Sequence, residues 1–484
     1  MKYLRKTHAK FLLTLTTIGL TILLVMPIGC GKKAEKSTPA PATTPAPAAD
    51  TIGNVPHISD IHFNPFYDTT LLPQLITAEV NQWESIFETS KIKGFGTVNK
   101  NETNYILLVS SLKDMAETSK NPDFIIFTGD FLAHEFPDKF KNHAPEGSDY
   151  DTFVEKTIEF VALVFEKYFP DTPVYISLGN NDCYAGDYQI IPEGKFLKKT
   201  TPVLADKFLE KPGNRGSFAE TYPVGGYFTV VPPETENTLI IALNSIFFSP
   251  KHNNTVDYDP GKRQLDWFEK QLVFAQQKKQ KAWLLLHIPP GTNVYTSVHK
   301  NQYTPMWKPE YNDRFISLVK TYAPVIIAGF CGHTHMDDFR VLVDAQASHA
   351  ISFVRIAPAV SPQFGNNPGY LQMSYDRQEF SLKNYVLYYL NLEITDPTWA
   401  KEYAFNDVYG QTSITAATML TVYHAIKTDP AVRKSYMDYY NVSDRPHPSL
   451  TDTNWKAYWC GIGNWTQTSF ESCYSNCDAL LKSK

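Results

Sequence analysis

Five short runs of β-branched and aromatic residues, Phe124–Thr128, Val174–Leu178, Leu239–Leu243, Trp283–His287 and Val325–Gly329, recur through this chain between longer amphipathic stretches. Apolar runs of this length bounded by turn formers read as buried strands, while Asp151–Phe169 and Lys262–Lys278 carry apolar residues at helical spacing. The alternation predicts a layered α/β or α+β fold, and no internal repeat relates its parts. What stands just past the extended runs narrows the choice. Asp60-Ile-His62, Gly129-Asp130, Gly179-Asn180-Asn181-Asp182, His287 and Gly332-His333-Thr334-His335 each follow one. Ligand sites of such sheets form outside the carboxyl ends of the strands, so these five ends are expected to converge.

Each piece alone has a plain explanation. Gly-Asp and Gly-Asn are ordinary turns. Asp60/His62 and His333/His335 are spaced by two, which points both side chains of a pair the same way in an extended segment. Together and in this order they point to one site. Four histidines, two carboxylates and an amide oxygen, with no thiolate, suit Zn, Fe, Mn or Mg rather than a closed structural zinc site. Seven donors exceed the needs of one tetrahedral ion. Two ions about 3.5–4 Å apart, sharing a bridging carboxylate, would use them all. Such a pair acidifies a bridging water and clamps phosphoryl oxygens, which predicts phosphoester hydrolysis without a covalent enzyme intermediate.

In this order the motifs resemble those of the calcineurin-like metallophosphoesterases, whose pattern is D-x-H, G-D, G-N-H-(D/E), H and G-H-x-H. The resemblance spans His57 to Tyr370. It implies that Asp60, His62 and His335 hold one metal, Asn180, His287 and His333 a second, with Asp130 bridging. It also implies a four-layer double β-sandwich flanked by helices, two divalent ions with zinc foremost and manganese or iron as alternatives, and attack by a hydroxide bridging the ions. Gly129-Asp-Phe-Leu-Ala-His134-Glu135 is similar to the G-D-x-x-x-H-(D/E) of acid sphingomyelinase-like phosphodiesterases, and Ala357–Tyr370 to their A-P-S…N-P-G-(Y/F) segment. By that likeness Tyr370 and Asn367 line the substrate side. Most relatives carry histidine where this chain has Asn181. Asparagine can hydrogen-bond a phosphoryl oxygen but cannot deliver a proton, so His134 is expected to be the general acid. Asp182 is expected to orient the Asn180–Asn181 loop.

Of the 45 Lys and Arg, four lie in the first 30 residues, which hold none of the 50 Asp and Glu, so the remainder carries −9. No global field draws nucleic acid, and a phosphate-bearing partner must be held locally. The basic start, the apolar stretch Phe11–Ile28 and Gly29-Cys30 have the layout of an export signal of lipoprotein type over residues 1–30, an uncleaved anchor being the alternative. Residues 31–50, rich in Ala, Pro and Thr, form a tether that leaves no room for a cysteine-rich lipid-handling domain. The expected location is therefore outside the cytoplasm: periplasm, outer membrane, cell surface or secreted, with membrane contact through the lipid anchor. Residues 51–395 are expected to form the catalytic domain, and 396–484 a helical extension carrying Cys460, Cys473 and Cys477.

In an oxidising compartment Cys460 is expected to pair with Cys473 or Cys477, and Cys331 to be a buried thiol. His252, His299 and His447 are read as solvated, Asn244 as a turn residue, and the Tyr/Trp-rich stretch 403–465 as helical packing rather than a substrate wall. The substrate is a phosphoester: a phospholipid head group in the leading reading, a nucleotide or polyphosphate in the alternative. A non-enzymatic surface lipoprotein would be expected to have lost these ligands, and all seven are present.

Overall fold

The computed structural model describes residues 51–482, apart from 212–214, 234, 236, 254, 345 and 347. The expected export signal and tether lie outside the described residues. In chain order the strands are β1 (Ile52–Ile58), β2 (Ile125–Phe127), β3 (Val174–Ile176), β4 (Arg215–Gly216), β5 (Phe228–Val231), β6 (Thr238–Ala242), β7 (Lys281–Leu285), β8 (Ile326–Cys331), β9 (Asp338–Val343), β10 (Ala350–Ile356), β11 (Gly369–Asp376), β12 (Leu382–Leu390) and β13 (Trp399–Ala404). They form two mixed sheets, ordered β13-β12-β11-β1-β2-β3 and β4-β5-β6-β7-β8-β10-β9. In the first, β1, β2 and β3 run parallel; in the second, β6, β7, β8 and β10 do.

Trp283 of β7 shows how the sheets meet. Its ring lies 5.8 Å from Phe124, just before β2, and 5.4 Å from Tyr375 of β11, and its indole N–H donates to the Phe380 carbonyl at 2.8 Å. A large ring buried with its polar handle satisfied fixes the spacing of two apolar faces. The helix Tyr105–Ser119 packs outside the first sheet, against β1 and β11, and the helix Ala416–Thr428 outside the second, against β9 and β10. The result is the expected double sandwich with helical outer layers.

The helices read from apolar spacing are Tyr150–Tyr168 and Pro260–Lys278, each starting one or two residues early because Asp149 and Asp259 cap them by accepting from the third amide. Sheet structure continues past residue 395: β13 pairs with β12 before the C-terminal helices begin. Cys460 is disulfide-bonded to Cys473, and Cys331 is buried.

One carboxyl near this seam titrates far from its usual range. Glu402 of β13 accepts a hydrogen bond from Ser443 at 2.6 Å, but its Oε2 is sealed from solvent without a hydrogen-bond partner among the described residues. Burial pushes its pKa up to about 8 from 4.5. A carboxyl raised on folding favours the protonated chain, so its contribution is complete below pH 4.5 and is lost as pH rises through about 8. Glu402→Gln is therefore expected to leave stability at pH 5 near wild type and to flatten its decline towards pH 9, read as urea midpoints across pH. A parallel decline in both proteins would refute this origin.

Candidate metal centre

The strand ends do converge, through left-handed turns rather than extended segments. Asp60, His62, Asp130, His333 and His335 have φ of 49°, 46°, 60°, 72° and 64°. Non-glycine residues in this region each cost roughly 1–3 kcal/mol and persist where the surroundings over-determine them. Here the surroundings are a backbone ladder between turns: Asp60 N donates to Gly129 O at 3.0 Å, His62 N to Asp130 O at 2.8 Å and Phe63 N to Phe131 O at 2.8 Å. The spacing by two thus works through alternating left-handed residues. Gly332 is demanded by the same crowding, since a Cβ there would lie 1.9 Å from Ser59 Oγ and 2.3 Å from Asp60 Oδ2.

All seven residues singled out as donors come together. Asp130 is central: its Oδ2 lies 3.3 Å from His62 Nε2 and 3.3 Å from His287 Nε2. On the His62 side, His335 Nε2 is 3.0 Å from His62 Nε2 and 3.5 Å from Asp60 Oδ1. On the His287 side, Asn180 Oδ1 is 3.0 Å from His287 Nε2, and the His333 ring lies 5.1 Å from that of His287. His62 Nδ1 donates to Leu132 O at 3.0 Å and His287 Nδ1 to Thr128 O at 2.7 Å, so each ring turns Nε2 inward. His335 Nδ1 has no hydrogen-bond partner among the described residues. Nitrogen lone pairs and carboxylate oxygens aimed at one another fit cations between them.

Electrostatics divide the four histidines, two held neutral by burial and two, His62 and His287, that the carboxylates favour protonated. Burial pushes His333 down to about 3, with the His287 charge adding to it, and holds His335 well below the usual histidine range. Both are neutral imidazoles with lone pairs to give. Burial would raise Asp60 and Asp130, yet the adjacent histidines hold both below the usual carboxylate range. Burial would lower His287, but Asp130 and Asp60 raise it to about 9.

A family model described as Calcineurin-like phosphoesterase matches residues 54–337. The chain belongs to the calcineurin-like phosphoesterases. Acid sphingomyelinase-like phosphodiesterase 3b of Homo sapiens is 27% identical over 405 residues, covering 80% of this chain and 82% of its own length. Cyclic GMP-AMP phosphodiesterase SMPDL3A of Homo sapiens is 27% identical over 449 residues, covering 90% and 92%. Among solved structures, a dimetal phosphatase from Danio rerio aligns with a TM-score of 0.42 at 9% identity, over 73% of this chain and 100% of that one. This calcineurin-like phosphoesterase is a metal-dependent hydrolase of phosphoester bonds, similar to the acid sphingomyelinase-like phosphodiesterases, and its fold implies a dinuclear metal site.

The residues around the centre divide between those the sequence marks and those it does not. His134 is at the site: its ring stacks on His62 at 3.9 Å, and one of its nitrogens lies within 4.8 Å of those of His62 and His335. Asn181 donates its backbone N–H to Asp130 Oδ1 at 2.8 Å and a side-chain N–H to Asp130 Oδ2 at 3.0 Å, so part of the amide read as a phosphoryl contact is committed to the central carboxylate. Asp182 reaches further than its own loop, accepting from the amides of Gly179, Asp130 and Phe131 at 2.8–2.9 Å. Burial, with Asp130 close by, pushes it up to about 7.

Three partners carry no sequence signal. Glu102 accepts from His134 Nδ1 at 3.0 Å and from Lys139 at 2.5 Å. Asp187 accepts from Asn180 Nδ2 at 2.7 Å, which turns the amide oxygen of Asn180 towards His287, and the Tyr188 hydroxyl lies 3.3 Å from His333 Nε2. They lie in irregular loops with no motif.

Other expectations are corrected. Tyr370 faces the outer helix, donating to Asp114 at 2.5 Å, and Asn367 is buried, donating to Val442 O and accepting from Leu392 N, so neither lines the substrate side. His252 is buried rather than solvated, because Tyr188 O holds its Nδ1 at 2.9 Å and its ring packs 5.3 Å from that of Phe247. His299 and His447 are exposed, and Asn244 caps a turn. In the Tyr/Trp-rich stretch, Trp459 stacks on Tyr423 and Tyr439 on Tyr403, but Tyr440 and Tyr458 join Tyr295 and Phe364 in lining a cavity of ≈ 340 Å³ that begins at His333.

Proposed function

We propose that this chain is an exported, dinuclear metal-dependent phosphodiesterase resembling acid sphingomyelinase, with a phospholipid head group as its substrate class. Asp60, His62 and His335 would hold one ion and Asn180, His287 and His333 the other, with Asp130 placed to serve both. The observation that carries this reading is the equal 3.3 Å distance from Asp130 Oδ2 to one histidine of each group. Divalent ions bound there, zinc foremost by donor chemistry, supply Lewis acidity that neutralises phosphoryl oxygens and makes a hydroxide nucleophile available near neutral pH.

The rest is the work of protein groups. Asn181 holds Asp130, and Asp182 ties the two loops that carry Asp130 and Asn180. His134, its Nδ1 fixed by Glu102, protonates the leaving oxygen. Expected for His134→Ala is a loss of about 10²–10⁴-fold in kcat on a diester with an alkoxide leaving group, and a far smaller loss on bis-p-nitrophenyl phosphate, with metal content unchanged. Equal losses on both substrates would end the acid role, and loss of an ion would make His134 a ligand instead.

The cavity beside His333 favours a head group over a polyphosphate. Aromatic rings form much of its wall, and the cation in its lining, Arg340, is paired with Asp338. Aromatic faces receive a quaternary ammonium well. The exposed rings of Tyr295 and Phe364 also suit base stacking, which favours a nucleotide diester as the second reading. Phosphorus NMR on sphingomyelin micelles mixed with ATP and a cyclic dinucleotide separates them. Phosphocholine appearing first supports the lipid reading, whereas decay of either nucleotide alone would replace it. Export rests on residues 1–30, which carry the layout of a lipoprotein signal, and Cys30 would be the lipid-bearing residue. Among the described residues no helix is long and apolar enough to cross a membrane.

A further inference from the structure

Behind the loop that carries Phe364, three side chains unrelated to the dinuclear centre converge. Glu393 follows β12, whereas Asp444 and His447 belong to the segment after the helix Pro430–Tyr440. One ligand atom from each lies within 4.8 Å of those of the other two. His447 Nδ1 is 3.0 Å from Asp444 Oδ2. Asp444 is only 3% exposed; its Oδ1 accepts from no N–H or hydroxyl among the described residues, and slight desolvation, with the Asp444 charge and contact, pushes the exposed Glu393 carboxyl beside it up from the usual range.

A carboxylate oxygen sealed from water without a donor is costly, and a second carboxylate beside it adds repulsion. Two carboxylates and an imidazole from opposite sides of a seam form a donor set that a borderline divalent cation takes up. We propose that Glu393, Asp444 and His447 form a third divalent-cation site, of the zinc class, that clamps the end of β12 to the C-terminal helices.

The site has a neighbour with consequences. A Cβ on Gly365 would lie 2.9 Å from His447 Cβ, and Asn441 donates to Gly365 O at 2.6 Å, so the Phe364–Gly365 turn rests on the clamped segment. The Phe364 ring in turn meets His335 at 4.6 Å and His134 at 5.2 Å, edge to face. An ion here supports one wall of the substrate cavity from outside the chemistry.

The test uses the full chain, stripped with a chelator, re-equilibrated with Zn²⁺, freed of loose metal by gel filtration and counted by elemental analysis. Wild type is expected to retain one equivalent more than the double variant Glu393→Gln/His447→Ala, and His335→Ala to lose zinc while keeping the equivalent that the double variant lacks. Because the readout is the difference between wild type and the double variant, it stands or falls apart from the two-ion reading of the catalytic centre. Equal zinc in wild type and the double variant overturns the proposal. Should the double variant fold poorly, exposed His447→Gln alone, titrated with Zn²⁺ against a fluorescent chelator, is expected to bind its weakest equivalent about tenfold less tightly or worse; unchanged affinity overturns it as well.

Discussion

Asp130→Asn is expected to reduce diester turnover on the order of a thousand-fold or more while the chain remains folded. The change keeps the shape and removes a charge at the point where both histidine groups meet. It also creates a local conflict. Both carboxylate oxygens of Asp130 accept from Asn181, one from its backbone N–H and one from its side-chain N–H. An amide offers only one acceptor, so its NH₂ must face a donor or turn towards the inward-facing nitrogens of His62 and His287. Either arrangement weakens the central anchor of both groups. Metal content after chelator treatment and Zn²⁺ reloading should fall together with kcat, and far-UV circular dichroism should not change. Full occupancy with wild-type turnover would remove Asp130 from the bridging position.

Arg355→Ala is expected to be the most destabilising single change outside the site, by about 3–5 kcal/mol. Arg355 is buried on β10, in the second sheet, yet its guanidinium binds Asp337 and the carbonyls of Asp338 and Ile356, and lies over the Tyr385 ring of β12 in the first sheet at 4.5 Å. Asp337 also accepts from the Tyr403 hydroxyl of β13 at 2.6 Å. The network is therefore a polar rivet through the seam between the sheets. Removing the arginine leaves Asp337 buried with its charge uncompensated, which is the expensive half of breaking such a pair. Urea midpoints for Arg355→Ala and for Arg355→Met/Asp337→Leu give the check: the double change should recover part of the loss, because no lone charge remains. A single-variant loss below about 1 kcal/mol would mean the seam is held by its rings alone.

The parts of this fold that the sequence displays are those buried on both faces. β2, β3, β6, β7 and β8 are short apolar runs because helices or the opposite sheet cover each side. β11 and β12 alternate buried and partly buried residues, such as Leu371 and Gln372 or Tyr385 and Val386, and escape a search for apolar runs. The donor residues were legible because chemistry restricts their types and order. Their backbone was not: a left-handed Asp60 or His335 looks like any other residue in a string of letters, and its conformation is set by hydrogen bonds to turns far along the chain. Glu102 was invisible for a related reason. Nothing distinguishes a carboxylate that grips His134 from one in solvent until the loop is folded. His252 was misplaced because Asn and Lys neighbours suggest water, whereas Tyr188 O captures its ring.

Strand β1 occupies the middle of its sheet, parallel to β2 on one side and antiparallel to β11 on the other, with Ile52 opposite Asp376. As the chain is synthesised, β1 emerges well before β11, its neighbour on the other side. Until then the strand that leads directly into Asp60 and His62 has an open flank. A flank of unpaired amides and carbonyls is where extended segments of other molecules attach. Sequestering that edge until β11 arrives, by a holdase or by slow release, is the step on which the yield of active enzyme is expected to depend, and it is set by the order of the strands rather than by anything at the metal centre.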